Sequence, residues 1–327
     1  MKLLLCLLGG LSLLVLVILA AKASPLAVAA ALARGALGSK DSLANTLVQT
    51  TPLLLTGLGV ALAFKGKLFN IGAEGQFLLG AIFATWAGTQ KLPAPLYLPL
   101  VLLTGALGGA LWAALAAALK LWRGVQEVLS TLLLNFVAVQ LVAWLVRGPL
   151  QESVKQFPQS DKLAVPARLA FLWPGTQLHQ GVLIALVLAI VVWFYLSRTA
   201  SGFMLRAVGA GAEAAEAAGI LVSKTTWITF LLSGALSGLA GAVQISGVTY
   251  FLADPYSKGY GYTAIAVALL ANLSPLWVMV TALFFGALTA GATEVQTAGV
   301  SSVVIQVLQA VVLLTVLAYG YVKERGK

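Results

Sequence analysis

Apolar residues in this chain come in long blocks, separated by short stretches of charge, proline and glycine. A helix that crosses a bilayer needs about 20 consecutive, mostly apolar residues. The blocks predict ten spans, at 3–21, 43–64, 70–88, 96–119, 127–146, 181–197, 226–247, 261–276, 277–293 and 302–319. The third and eighth are short and open on polar or glycine-rich sequence. The expected fold is all-α, a polytopic membrane protein of about ten transmembrane helices forming one transmembrane domain over 1–327. Ten spans also admit a five-plus-five inverted repeat, which would pair span three with span eight. Short, glycine-interrupted helices in matching positions are the pattern of helices flanking a pathway.

An even number of spans places both ends on one side. With both ends in the cytoplasm, Lys65, Lys67, Lys120, Arg123, Arg198, Arg206, Lys224 and the tail Lys323-Glu324-Arg325-Gly326-Lys327 fall inside. That is the sign the positive-inside rule asks for. Outside lie 22–42, with an alanine-rich stretch over 26–37 suited to the interface, and an extracytoplasmic loop, 148–180, carrying Pro149, Pro158, Pro166 and Pro174. Inside lies the loop 198–225. Ala21-Lys22-Ala23 mimics a cleavage site, but the apolar run 3–21 exceeds the roughly 7–15 residues of a cleaved signal, so it reads as a retained first helix.

Composition agrees with lipid as the solvent. Of 327 residues, 60% are hydrophobic and 9% charged, where a soluble domain carries about 25% charged residues. The net charge of +10 is scattered between apolar blocks, not drawn into the basic stripe that nucleic acid requires. Cys6 and His179 are the sole cysteine and histidine. Disulfides, cysteine metal clusters and histidine relays are therefore not expected, nor is a cofactor or a membrane-embedded enzyme. No G-x-x-x-x-G-K-[ST] phosphate loop occurs, so ATP-driven transport would need its ATPase on another chain. A secondary transporter is the competing reading. Such proteins pair ionisable groups across the membrane middle, whereas Glu74, Glu127 and Glu294 each read as lying near a span end.

Five constellations stand out. In Lys65-Gly-Lys67-Leu-Phe69-Asn70-Ile71-Gly72-Ala-Glu74-Gly75-Gln76 a carboxylate enters an apolar span. A charge there costs roughly 2.5–3.5 kcal/mol at mid-membrane on insertion scales, so it must face protein or water. Asn70, Glu74 and Gln76 then either line the pathway or hold the bundle together. Glu127, Ser130, Thr131 and Asn135 fall on one stripe of a helix, and the same two readings apply to Glu127, Thr131 and Asn135. The inner segment 211–219, with Glu213, Ala215 and Glu216 and ending at Gly219, reads as a short helix. Such a helix is marginal in water and needs a partner to hold it. Gly234, Gly238 and Gly241 have helix-packing spacing. Tyr250, Tyr256, Tyr260 and Tyr262 precede or open span eight, and suit either an aromatic interface belt or contact with a delivered ligand or its carrier.

These blocks, in this order, resemble the permeases of bacterial nucleoside and simple-sugar ABC importers, within the branched-chain amino acid and ribose permease superfamily. The resemblance runs from about residue 40 to the C-terminus. It rests on 69–76, on Glu127-Val128-Leu129-Ser130-Thr131 with Leu134-Asn135, and on a third block. That block comprises Leu205-Arg206-Ala207-Val208-Gly209, Ala217-Ala218-Gly219-Ile220 and 233–241. Ala271-Asn272-Leu273-Ser274-Pro275 departs from the pattern, where relatives tend to have glycine and a basic or polar residue before the proline. The resemblance implies a type II ABC importer-like fold in the plasma (inner) membrane. It also implies a cytoplasmic ABC ATPase docked on a coupling segment that includes Arg206, Gly209, Glu213, Ala215, Glu216 and Gly219. Further partners would be an extracytoplasmic solute-binding (lipo)protein and a second, shorter permease.

Overall fold

The structure, a computed structural model, describes residues 2–20, 23–256, 258–297, 307, 309–311 and 314–315. Among these residues the regular structure is helical. The helices are α1 (Lys2–Ala20), α2 (Pro25–Leu37), α3 (Lys40–Lys65), α4 (Ala73–Thr89), α5 (Tyr97–Arg123), α6 (Glu127–Val146), α7 (Gly181–Arg198), α8 (Ala200–Ala210), α9 (Ala212–Ala217), α10 (Val222–Gln244), α11 (Tyr260–Leu270) and α12 (Pro275–Thr297). A π-helical turn, Ile245–Thr249, extends α10.

Six segments are long and apolar enough to cross a membrane: Lys40–Lys65, Ala94–Arg123, Glu127–Val146, Gly181–Arg198, Val222–Thr249 and Pro275–Thr297. A bent pair, Ser12–Ala20 with Pro25–Leu37, would make a seventh if it is one span. Predicted spans three and eight emerge as the short helices α4 and α11, of 17 and 11 residues. Span 302–319 lies almost wholly outside the described residues, and the basic tail entirely so.

Span eight stops earlier than its composition suggested. After Leu270 the chain turns through Asn272 and Leu273, both left-handed (φ 49° and 56°), and Pro275 opens α12. Proline suits a first helical position, where its missing N–H has no partner to lose. The apolar residues on either side concealed this turn.

The chain divides into two compact units. One comprises Met1–Thr50, Trp173–Leu178 and Leu283–Lys327. Its small core joins Ile18, Val28, Ala31 and Val295. Lys40 Nζ donates to the Pro174 carbonyl at 2.8 Å and lies over the Trp173 ring.

The other comprises Thr51–Leu172 and His179–Ala282, and α4 is its centre. Only Phe83, Trp86 and Thr89 of α4 escape burial. Its neighbours α5 and α10 come within backbone contact: a Cβ on Gly80 would strike Gly238, and one on Gly241 would strike the Phe77 carbonyl. Small residues permit this approach, which supplies dispersion where no hydrophobic effect operates between helices. The Gly234, Gly238 and Gly241 spacing is thus a packing device. At one end of this unit, residues of 147–172 cover the helix termini. Ala164 N–H donates to the Gly88 carbonyl, Leu163 N–H to Tyr250 and Leu169 N–H to Ser246, while Arg147 pairs with Asp254 at 2.6 Å. At the opposite end lie the α5–α6 turn, α8 and α9.

Candidate functional site

The polar stripe of α6 is entirely buried: Glu127, Ser130, Thr131 and Asn135 are each at most 8% exposed. It holds the irregular segment between α3 and α4. At its foot the Glu127 carboxylate, beside the Phe69 backbone, pairs with Lys120 Nζ at 2.7 Å. One turn on, Ile71 N–H donates to Thr131 Oγ1 at 3.2 Å. Next, Asn135 Nδ2 donates to the Ile71 carbonyl at 2.9 Å, and Asn135 Oδ1 accepts from Gly75 N–H at 2.8 Å. Non-helical backbone survives at membrane depth only where protein satisfies its polar groups. The side chains of α6 do this step by step.

This ladder moves Glu74. At 1.5 Å per residue, Asn135 stands about 12 Å along α6 from Glu127 and about 16 Å from Val146. Gly75, bonded to Asn135, and Glu74 beside it therefore lie near mid-depth. Glu74 does sit in the first turn of its helix, as expected, but that helix starts about midway along α6, because the chain has already run beside α6 before α4 begins.

There the starts of the two short helices touch. Glu74 is 3% exposed, and its Oε2 accepts from Gly261 N–H in the first turn of α11 at 2.7 Å. A carboxylate is favoured at a helix N-terminus. A side chain on Gly261 would strike the Ala73–Glu74 backbone. Asn70 and Gln76 pair amide to amide at 3.0 and 3.1 Å, and Asn70 Nδ2 also donates to Ser233 Oγ on α10 at 3.0 Å. Phe77 packs against Tyr256 and Tyr260, with ring centroids 6.0 and 5.6 Å away. An interface belt therefore does not describe these two tyrosines. Tyr262, one residue beyond Gly261, lies beside the Asn135 amide yet is 42% exposed.

Asn70, Glu74, Gln76, Thr131 and Asn135 are thus brought together in one buried region of the second unit, with Glu127 at its foot. Each of these side chains has a protein partner.

The inner segment folds differently from expectation. Its helix is α9, shorter than 211–219. A second helix, α8, precedes it, capped by Thr199 Oγ1, which accepts from Gly202 N–H at 3.0 Å. Gly219 ends the segment in a left-handed conformation (φ 83°). Glu213 and Glu216 are exposed and Arg206 half-buried, but Ala215 is 5% exposed and faces the protein's own interior. A partner would meet Ala212, Glu213, Ala214, Glu216 and Ala217 instead. Gly209 presses on the Lys65 carbonyl so closely that a Cβ would collide with it, tying α8 to the end of α3. His179 lies away from these residues. It is buried and accepts from Gly181 N–H through Nδ1, and burial pushes it down to about 4.

The family model described as the branched-chain amino acid transport system permease component matches residues 42–317. The chain is similar to the glucose ABC transporter permease protein TsgB13 of Haloferax volcanii, with 36% identity over 88% of this chain and 79% of that one. It is similar to the guanosine ABC transporter permease protein NupP of Bacillus subtilis, with 35% identity over 90% and 88%. It is also similar to the nucleoside ABC transporter permease protein NupB of Lactococcus lactis, with 30% identity over 85% and 79%. No solved structure matches the chain. With six apolar membrane-length segments and a family match that covers most of its length, the chain belongs to the branched-chain amino acid transport system permease family and is a permease of the ABC-importer type.

Proposed function

We propose that this permease carries nucleosides, or related small sugars, across the bacterial plasma membrane as one half of a heterodimer powered by a separate ATPase. The carrying observation is the similarity, over most of both chains, to permeases named for glucose, guanosine and nucleosides. In this reading the domain over 1–327 has ten helices with both termini in the cytoplasm, and α4 and α11 are matching members of an inverted repeat. Their shared shortness and touching starts support that pairing.

A loaded solute-binding protein docks on the 148–180 side, and the ATPase receives α9. Force from the ATPase enters through the exposed face of α9, passes to α8, and crosses the Gly209–Lys65 contact into the segment that α6 holds. Asn70, Glu74, Gln76, Glu127, Thr131 and Asn135 then set the shape of the pathway wall, and Arg206, Gly209, Glu213, Ala215, Glu216 and Gly219 build the coupling end. Ala215 acts there from the inside, seating α9 on its own protein.

The test is reconstitution in liposomes of the chain with its ATPase, second permease and binding protein. Loaded binding protein should stimulate ATP hydrolysis and drive accumulation of radiolabelled guanosine or glucose. The lone chain should do neither. Accumulation by the lone chain under an ion gradient would establish a secondary transporter instead.

A further inference from the structure

Tyr262 combines three properties that lipid does not explain. Its hydroxyl lies beside the Asn135 amide, which places it near mid-depth by the helical rise above. It is 42% exposed. It also stands one residue past Gly261, whose N–H is held by Glu74. Tyrosine on a membrane protein favours the boundary with water, where its ring is in lipid and its hydroxyl is wet. A phenol exposed at mid-depth is out of place against hydrocarbon. It is in place on the wall of a wet pathway.

The surroundings agree. Asn70, Glu74, Gln76 and Asn135 are all buried with protein partners, so none of them presents a free surface to a solute. Tyr262 is the member of this group that does. The Glu74–Gly261 hydrogen bond holds the first turn of α11, so the ring is presented from a fixed helix start.

We infer that Tyr262 is a solute-contacting residue of the translocation pathway. Its ring stacks on the flat face of a ring-shaped polar solute, and its hydroxyl hydrogen-bonds the solute's edge. The assignment rests on the proposed transport of nucleosides or sugars and names the residue through which the buried region reaches them. A nucleobase and a sugar ring both offer this chemistry, and guanosine and glucose serve as separate probes.

The first measurement needs no solute. In a Cys6→Ser background, within the assembled complex, the thiol introduced by Tyr262→Cys should react with a polar, membrane-impermeant methanethiosulfonate. The rate should be at least ten times that of Val187→Cys, which is exposed on the apolar helix α7. Equal, slow rates would place Tyr262 against lipid or a partner helix and overturn the inference, whatever the complex transports.

The second measurement is uptake. Stacking of a base on an aromatic ring is worth about 1–3 kcal/mol, so Tyr262→Ala should raise KM about tenfold or more for the preferred solute at unchanged membrane abundance. Tyr262→Phe retains the ring and should cost about threefold to tenfold, the range of one neutral hydrogen bond. Wild-type KM in both variants would overturn the inference. No transport by the wild-type complex would instead overturn the proposed function and leave the thiol result to decide Tyr262.

Discussion

At the residue scale, Asn135 illustrates what a polar side chain does in a membrane. One amide joins the Ile71 carbonyl and Gly75 N–H. An unsatisfied buried donor or acceptor costs about 1–3 kcal/mol, and Asn135→Leu would leave two backbone groups unpaired. We expect that variant to lose several degrees of thermal stability in detergent, measured by fluorescence-detected size exclusion after heating. Glu74→Gln retains an acceptor for Gly261 N–H and should stay near wild type in the same assay. Equal losses in the two would mean the amide ladder is not what holds 66–72. The stripe was legible in sequence, because Glu127, Thr131 and Asn135 recur at helical spacing in an apolar background. Its object was not legible. Nothing local to α6 reveals that its partners lie 60 residues earlier, since long-range pairing leaves no periodic trace. Tyr262 stayed inconspicuous for a similar reason, because four neighbouring tyrosines carry one composition but have different surroundings.

At the element scale, the long spans were readable because twenty apolar residues have one meaning in a membrane. The short helices were not, since their ends depend on contacts: α4 begins where Asn135 of α6 accepts from Gly75 in its first turn, and α11 ends at a brief turn through Asn272 and Leu273 set between apolar runs. The inner loop gives a sharper lesson. Alanine and glutamate indicated a helix, but a six-residue helix has too few residues for a pattern to reveal its buried side. With Ala215 facing inward, added bulk there would disturb the fold and test nothing about a partner. Ala214→Trp and Ala217→Trp, on the exposed face, should retain normal membrane abundance. They should also lose co-purification with the ATPase, or at least tenfold of the stimulated hydrolysis. Full assembly and full stimulation in both would move the coupling surface away from α9.

At the scale of the whole molecule, the bonds that satisfy 66–72 set an order of events during synthesis. The groups that complete this span are separated by 60 and 64 residues in sequence. At about 5–20 residues per second, α4 leaves the ribosome some seconds before α6 exists. In that interval Ile71 N–H, the Ile71 carbonyl and Gly75 N–H lack the partners that α6 will supply, and hydrocarbon offers none. The nascent segment should therefore wait at the translocon, or beside an insertase, until α6 arrives. In arrested nascent chains, the thiol introduced by Ala73→Cys should stay open to a polar reagent until the chain is long enough to release α6, and then close. Protection complete before that length would mean α4 inserts unaided. If the delay is observed, slowing translation between residues 90 and 126 should lower the yield of this permease more than the same slowing after residue 146.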